Sequence, residues 1–209
     1  MILNKGIKDT PEPISERVYW KEGGKRRSKT LWVCPYYVRW TGMLERCYSE
    51  RHHKVYPSYV GCSVCEEWLM FSNFRSWCKD QEKVMGFCIK EDKLQIDKDI
   101  KVGGNKIYSP ETCLLLPNKV NSFIIKCGDR FTGTVVDNRT GKIVTYCRDP
   151  FTKKVENLGV TGTKEEGYSL WVERKIEHTF RMESLGWINR EVRRYIVSFI
   201  RGESPLDKL

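Results

Sequence analysis

Asp97, Lys98, Thr112 and Asn121 lie in a stretch whose residue types could hydrolyse a phosphodiester. The stretch runs Leu94-Gln95-Ile96-Asp97-Lys98-Asp99-Ile100, then Gly103-Gly104-Asn105, then Tyr108 to Cys113, then Asn118 to Asn121. Asp97 offers a carboxylate oxygen and Asn121 an amide oxygen. Hard oxygen donors of this kind suit magnesium or manganese. Such a cation stabilises charge on a scissile phosphate and its leaving oxygen. Two protein ligands suffice, because magnesium keeps waters and shares substrate oxygens. Taken alone, the Asp97-Lys98-Asp99 triplet also fits a solvated strand end.

For these groups to meet, the chain has to fold as a strand, a glycine hairpin, a second strand or loop, and a helix opening at Pro117. This order of residues and elements resembles the HNH endonucleases, in particular phage-encoded free-standing or homing enzymes, over the middle third of the chain. The resemblance implies that Asp97 and Asn121 are the metal ligands. It puts Thr112 in the loop-bracing place usually held by Asn, and Lys98 in the place of the general base, usually His. These two residues are departures from the family pattern. Lys98 could contact phosphate or act as a base in a desolvated site, and His52, His53 or His178 could supply a base from elsewhere. The function implied is metal-dependent nicking or cleavage of double-stranded DNA. The alternative is a catalytically inactive DNA-binding protein, regulatory or host-directed, on the same frame.

Charge agrees with a nucleic-acid partner. The 209 residues carry a formal net charge of +10, and each neutralised phosphate releases counterions. A hydrophobic fraction of 40% and an aromatic fraction of 12% suffice for a folded core. Nine cysteines, an odd number, follow an N-terminus without signal-peptide character. No apolar run approaches transmembrane length. The expectation is a cytoplasmic protein with reduced thiols and no membrane partner. Cys62-Ser63-Val64-Cys65 has metal-ligand spacing, but no second close pair accompanies it, so buried free thiols are favoured over a structural zinc.

The elements divide into three regions and an α+β fold. Residues 1–82 form a basic arm and an aromatic-rich helical part. Lys25, Arg26 and Arg27, in the segment Gly23 to Lys29, read either as a flexible solvated loop or as a phosphate-contacting arm. Trp40, Met43, Leu44, Cys47 and Tyr48 recur at helical spacing, as do Val64, Trp68, Phe71, Phe74 and Trp77. Residues 83–127 are the ββα unit.

Residues 128–209 are a third region with strand-like runs at Phe131–Val136, Ile143–Cys147 and Val155–Val160. A capping box, Thr163 to Glu166, opens a helix expected to bury Tyr168, Trp171, Val172, Ile176 and Phe180. Leu158-Gly159-Val160 before that helix resembles the end of the Apetala-two-like DNA-binding domain, which implies a three-stranded sheet that enters the major groove. Arg139, Lys142, Arg148, Lys153 and Lys154 lie on or beside its strands as candidate contacts. A final helix, capped by Asn189 and stopped by Gly202, buries Val192, Ile196, Phe199 and Ile200.

Overall fold

A computed structural model describes residues 2–124 and 131–203 of the protein. The fold is α+β, with helices and several small sheets. The chain forms two compact units. The first comprises Met1–Lys98 with Gly104–Leu115, and the second Asp99–Gly103 with Leu116–Leu209. Segment 83–127 is shared between them. Among the described residues, no helix is long and apolar enough to cross a membrane.

The first unit opens with a two-stranded antiparallel ribbon, β1 (Ser15–Glu22) and β2 (Lys25–Val33). Its turn is Gly23-Gly24, at φ +56° and +76°. Two successive left-handed residues make the tight turn whose twist matches paired strands, and glycine takes that backbone without strain. The basic run 23–29, expected as a flexible segment, is instead this turn and the start of β2. Pairing is favoured by Val18, Tyr19, Trp20, Thr30 and Trp32, residue types that suit a pleated strand. Every residue of both strands is exposed.

The core of this unit sits among its helices: α1 (Pro35–Tyr48), α2 (Glu50–Val55), α3 (Glu66–Leu69) and α4 (Phe71–Met85). α1 buries Trp40, Met43, Leu44 and Cys47, one stripe at helical spacing. Trp68, Phe71 and Phe74 meet that stripe, and Trp40 Nε1 donates to Trp68 O at 2.7 Å. The sequence periodicity predicts one helix through Val64, Trp68, Phe71, Phe74 and Trp77. The structure instead places Val64 on strand β3 (Ser63–Val64) and breaks the helix at Met70, which is extended (φ −87°, ψ 123°). The cause is distant in sequence. Ile7 inserts there, its N–H donating to Leu69 O at 2.8 Å and its carbonyl accepting from Phe71 N at 3.0 Å. α4 stops at Gly86, left-handed at φ 69°.

Three short strands follow: β4 (Gln95–Asp97), β5 (Ile107–Tyr108) and β6 (Leu114–Leu116). β4 pairs with β6, while β5 pairs in parallel with β3. The helix α5 (Asn118–Ile124) then opens just after Pro117, whose carbonyl accepts from Val120 N at 2.9 Å and Asn121 N at 3.0 Å.

In the second unit, β7 (Thr134–Val136), β8 (Ile143–Arg148) and β9 (Val155–Thr161) form an antiparallel sheet in that order. α6 (Lys164–Ser184) packs on it, and α7 (Arg190–Arg201) packs on α6. The capping box is formed in both directions between Thr163 and Glu166. Gly167 lets the helix approach the sheet: a Cβ there would lie 2.5 Å from Thr145 Oγ1 and 2.8 Å from Thr134 Cγ2.

The buried face of α6 is Gly167, Trp171, Lys175, His178, Thr179 and Met182; of the expected stripe Trp171 is buried, Tyr168, Val172 and Ile176 are half-buried, and Phe180 is exposed. Polar groups go inside because each finds a partner. Lys175 Nζ donates to Phe123 O and lies over the Phe123 ring. His178 Nε2 is 3.2 Å from Glu156 Oε2, and Thr179 Oγ1 donates to Lys175 O at 2.8 Å. In α7, Asn189 accepts from Val192 N at 2.9 Å, Val192, Ile196 and Ile200 are buried while Phe199, expected with them, is half-buried, and Gly202 ends the helix at φ 75°.

Candidate active site

The start of β4 is held from α1, where Arg39 Nε donates to Leu94 O at 2.9 Å. From Leu94 to Ile100 burial alternates. Leu94, Ile96, Lys98 and Ile100 are buried, and Gln95, Asp97 and Asp99 between them are half-buried. Asp97 ends the strand and Lys98 begins a bend, so the two are neighbours in sequence with different surroundings.

Lys98 is 7% exposed, and its Nζ donates to Asn105 O at 2.7 Å. Asn105 returns the bond, its Nδ2 donating to Lys98 O at 3.0 Å. The same amide group donates to Ile107 O at 2.5 Å, and its Oδ1 accepts from Ile107 N at 3.1 Å. The left-handed Gly104 (φ +72°) turns the chain just before it. Thr112 completes the loop. Its hydroxyl donates to Ile107 O at 2.7 Å and lies 3.1 Å from Ser109 Oγ. Lys98, Asn105, Ile107 and Thr112 thus form one chain of hydrogen bonds. It is anchored where β5 pairs with β3, Ser63 N donating to Lys106 O at 2.8 Å and Cys65 N to Tyr108 O at 2.9 Å. Asn105 was quoted from the sequence without this role, and Ile107 was not singled out at all. The signal for Asn105 was available, as an amide directly after two glycines can hydrogen-bond its own backbone two residues on.

Asn121 belongs to the second unit, on α5. It is half-buried, and its Oδ1 is buried with no hydrogen-bond partner among the described residues. A buried acceptor left unmet costs about 1–3 kcal/mol. A cation or a donor arriving from outside the chain would remove that cost. An amide oxygen is also the donor type that a magnesium or manganese ion takes.

The other expected residues are dispersed. Lys25, Arg26 and Arg27 sit at the turn end of the ribbon. Arg139 and Lys142 belong to the turn before β8, whereas Arg148 ends that strand, and Lys153 and Lys154 follow in the next turn. These five basic residues bracket the length of β8. Arg148 shares the exposed sheet face with Tyr146, Val155 and Val160.

His52 packs on Tyr56, with ring centroids 4.8 Å apart, and His53 Nε2 is 2.8 Å from Arg46 O. His178 is paired with Glu156 inside the second unit. Cys62 is buried and Cys65 half-buried in the helical core. Among the described residues no group of three or more His, Cys, Asp or Glu converges as metal ligands. Burial above all, with Cys62 next, pushes the Cys47 thiol up to about 12 against the opposing pull of Arg46 and Lys98. A thiol held protonated in this way is no nucleophile near neutrality. Comparison with family models, curated proteins and solved structures finds no match for this chain.

Proposed function

We propose that this protein is a metal-dependent DNA endonuclease of the HNH kind, which nicks or cleaves double-stranded DNA. The buried, unmet Oδ1 of Asn121 carries the proposal, since it is an oxygen donor already desolvated and in need of a partner. Asn121 would offer its oxygen to the ion, magnesium or manganese, and the resemblance names Asp97 as the other ligand. When bound, that ion supplies positive charge to the scissile phosphate and the leaving oxygen. Thr112 and Asn105 keep the loop after Asp97 in one conformation, through the shared acceptor Ile107 O. Lys98 adds a fixed cation on the buried side of that loop. The exposed face of the β7–β8–β9 sheet, with Arg148 on it and Arg139, Lys142, Lys153 and Lys154 at its ends, would contact duplex DNA.

A second reading is favoured by one observation. Lys98 stands where a base is expected, and its ammonium already donates to a carbonyl. A protein that grips DNA on this frame without cutting it has the same charge and the same fold.

The two readings part in one assay. Supercoiled plasmid and phage DNA are incubated with magnesium or manganese, with chelator, and with Asp97→Ala and Asn121→Ala in parallel. Metal-dependent cutting by the native protein, lost in both variants, is the expected result. Salt-sensitive binding without any cutting would sink the nuclease and leave the DNA-binding protein.

A further inference from the structure

We propose that the β1–β2 ribbon is an arm that inserts into the major groove of duplex DNA, with phosphates of both groove walls against its two faces. The inference rests on the reading of DNA as the partner and goes beyond it in assigning a mode of contact.

Three observations carry it. The first is solitude. Every residue of both strands is exposed, including Trp20 and Trp32, and among the described residues the strands are paired only with each other. A two-stranded hairpin by itself is marginally stable at best in water. Solvent-exposed aromatic and cationic side chains on such an element stabilise little in the free protein.

The second observation is the distribution of charge. In the register of the ribbon, Lys21 opposes Arg26 and Arg17 opposes Thr30, which puts Arg17, Lys21 and Arg26 on one face. Glu22 opposes Lys25, Trp20 opposes Arg27 and Val18 opposes Lys29, which puts Lys25, Arg27 and Lys29 on the other. The ribbon is therefore cationic on both faces. On the second face Glu22, ion-paired with Arg27 at 3.4 Å, and Glu16, opposite Trp32, offset two of the three charges and leave that face the less cationic of the two. A flat polyanion, whether a membrane surface or an acidic protein face, touches one side of a ribbon. A groove walled by two phosphate backbones presents negative charge to both.

Size is the third observation. The major groove is about 12 Å wide and admits a two-stranded ribbon, whereas the minor groove is about half that width. Eight paired residues extend roughly 26 Å at about 3.3 Å each, enough to follow the groove across most of a helical turn. The aromatic residues fit the same site. Tyr19 lies under the Arg26 guanidinium at 5.0 Å, which holds that cation in place, and Trp20 on the opposite face is free to contact base edges or sugars.

The test is equilibrium binding of labelled duplex DNA across a salt series, without divalent metal so that no cutting intervenes. It uses the full chain, the triple variant Arg17→Gln/Lys21→Gln/Arg26→Gln, and the triple variant Lys25→Gln/Arg27→Gln/Lys29→Gln. All six side chains are exposed, so circular dichroism should show both variants folded. Each triple variant is expected to weaken duplex binding at least about tenfold and to reduce the slope of log K against log salt by roughly 2 to 3. Dimethyl sulfate should find guanine N7, in the major groove, protected by the native protein and less so by either variant.

A slope unchanged in one of the two variants would overturn the proposal, because contact would then be one-sided. Protection confined to adenine N3 would overturn it too, as would anionic vesicles or single strands bound better than duplex. The nuclease reading fails separately. Ribbon-dependent binding by a protein that cuts nothing sinks the enzyme and keeps the arm, whereas cutting with binding unaltered in both variants does the reverse. A native protein without affinity for duplex DNA overturns both.

Discussion

The β1–β2 ribbon and the β7–β8–β9 sheet are both antiparallel, and both carry basic residues on or beside their strands. They differ in what lies against them. The sheet has α6 on one face, with Thr145 and Cys147 of its central strand buried beneath the helix. The ribbon has no buried residue at all. Strand pairing alone is therefore a poor guide to what an element contributes. The sheet holds its unit together, and the ribbon is free to serve a partner. Perturbing each in turn should separate these roles.

The largest contrast should come from tryptophan truncation. Trp171→Ala removes a buried side chain from the α6 face and should destabilise the second unit by about 3–5 kcal/mol. Trp20→Ala in the ribbon should stay within about 0.5 kcal/mol. Urea unfolding of the two variants measures both, and similar losses would erase the distinction. A smaller contrast concerns glycine. Gly167→Val drives a branched side chain against Thr145 and Thr134 and should cost about 1–3 kcal/mol, read from the same unfolding curves. Gly24 has open space around it and strains only its own turn, so Gly24→Val should loosen amide exchange in the ribbon and leave the unfolding midpoint nearly in place.

The finest contrast is in acid. Burial opposes charge on Asp149, in the turn after β8. Hydrogen bonds from Phe151 N at 2.7 Å, Thr152 Oγ1 at 2.8 Å and Thr152 N at 3.3 Å outweigh it and hold the carboxyl below its usual range. The folded value lies below the unfolded one. Its contribution is therefore complete above the ordinary aspartate pKa and disappears as pH falls through the folded value. Thermal melts should lose stability over that acid window in the native protein, and less steeply in Asp149→Asn. Equal slopes would assign the acid loss elsewhere.

Much of the fold was legible in local signals. The capping box from Thr163, the Asn189 cap, the Gly202 stop and the three C-terminal strands all come from residues close in sequence, and all are present, although the first strand, expected over Phe131–Val136, covers only Thr134–Val136. The candidate site was legible in its strand, its helix start at Pro117 and its donor types. Asn105 was quoted together with Gly103 and Gly104, but its bracing of the loop was not read. Lys98 stood out for its chemistry, while its burial on the inner side of the loop could be seen only once Asn105 O was in place to receive it.

What the sequence by itself determined, then, are the features set by periodicity, caps and turns. These are the apolar stripe of α1, the start of α6, the limits of α7 and the strong excess of positive charge. The tertiary structure alone decided where the aromatic helix breaks, which face of α6 is buried, and that the basic run near the N-terminus is a bare ribbon. The physical reason is common to all three. Periodicity reports the tendency of apolar groups to leave water, whereas the burial of Lys175 and His178 depends on partners supplied by Phe123 and Glu156. The break at Met70 likewise depends on Ile7, and the ribbon is bare because, among the described residues, no element buries any of its side chains.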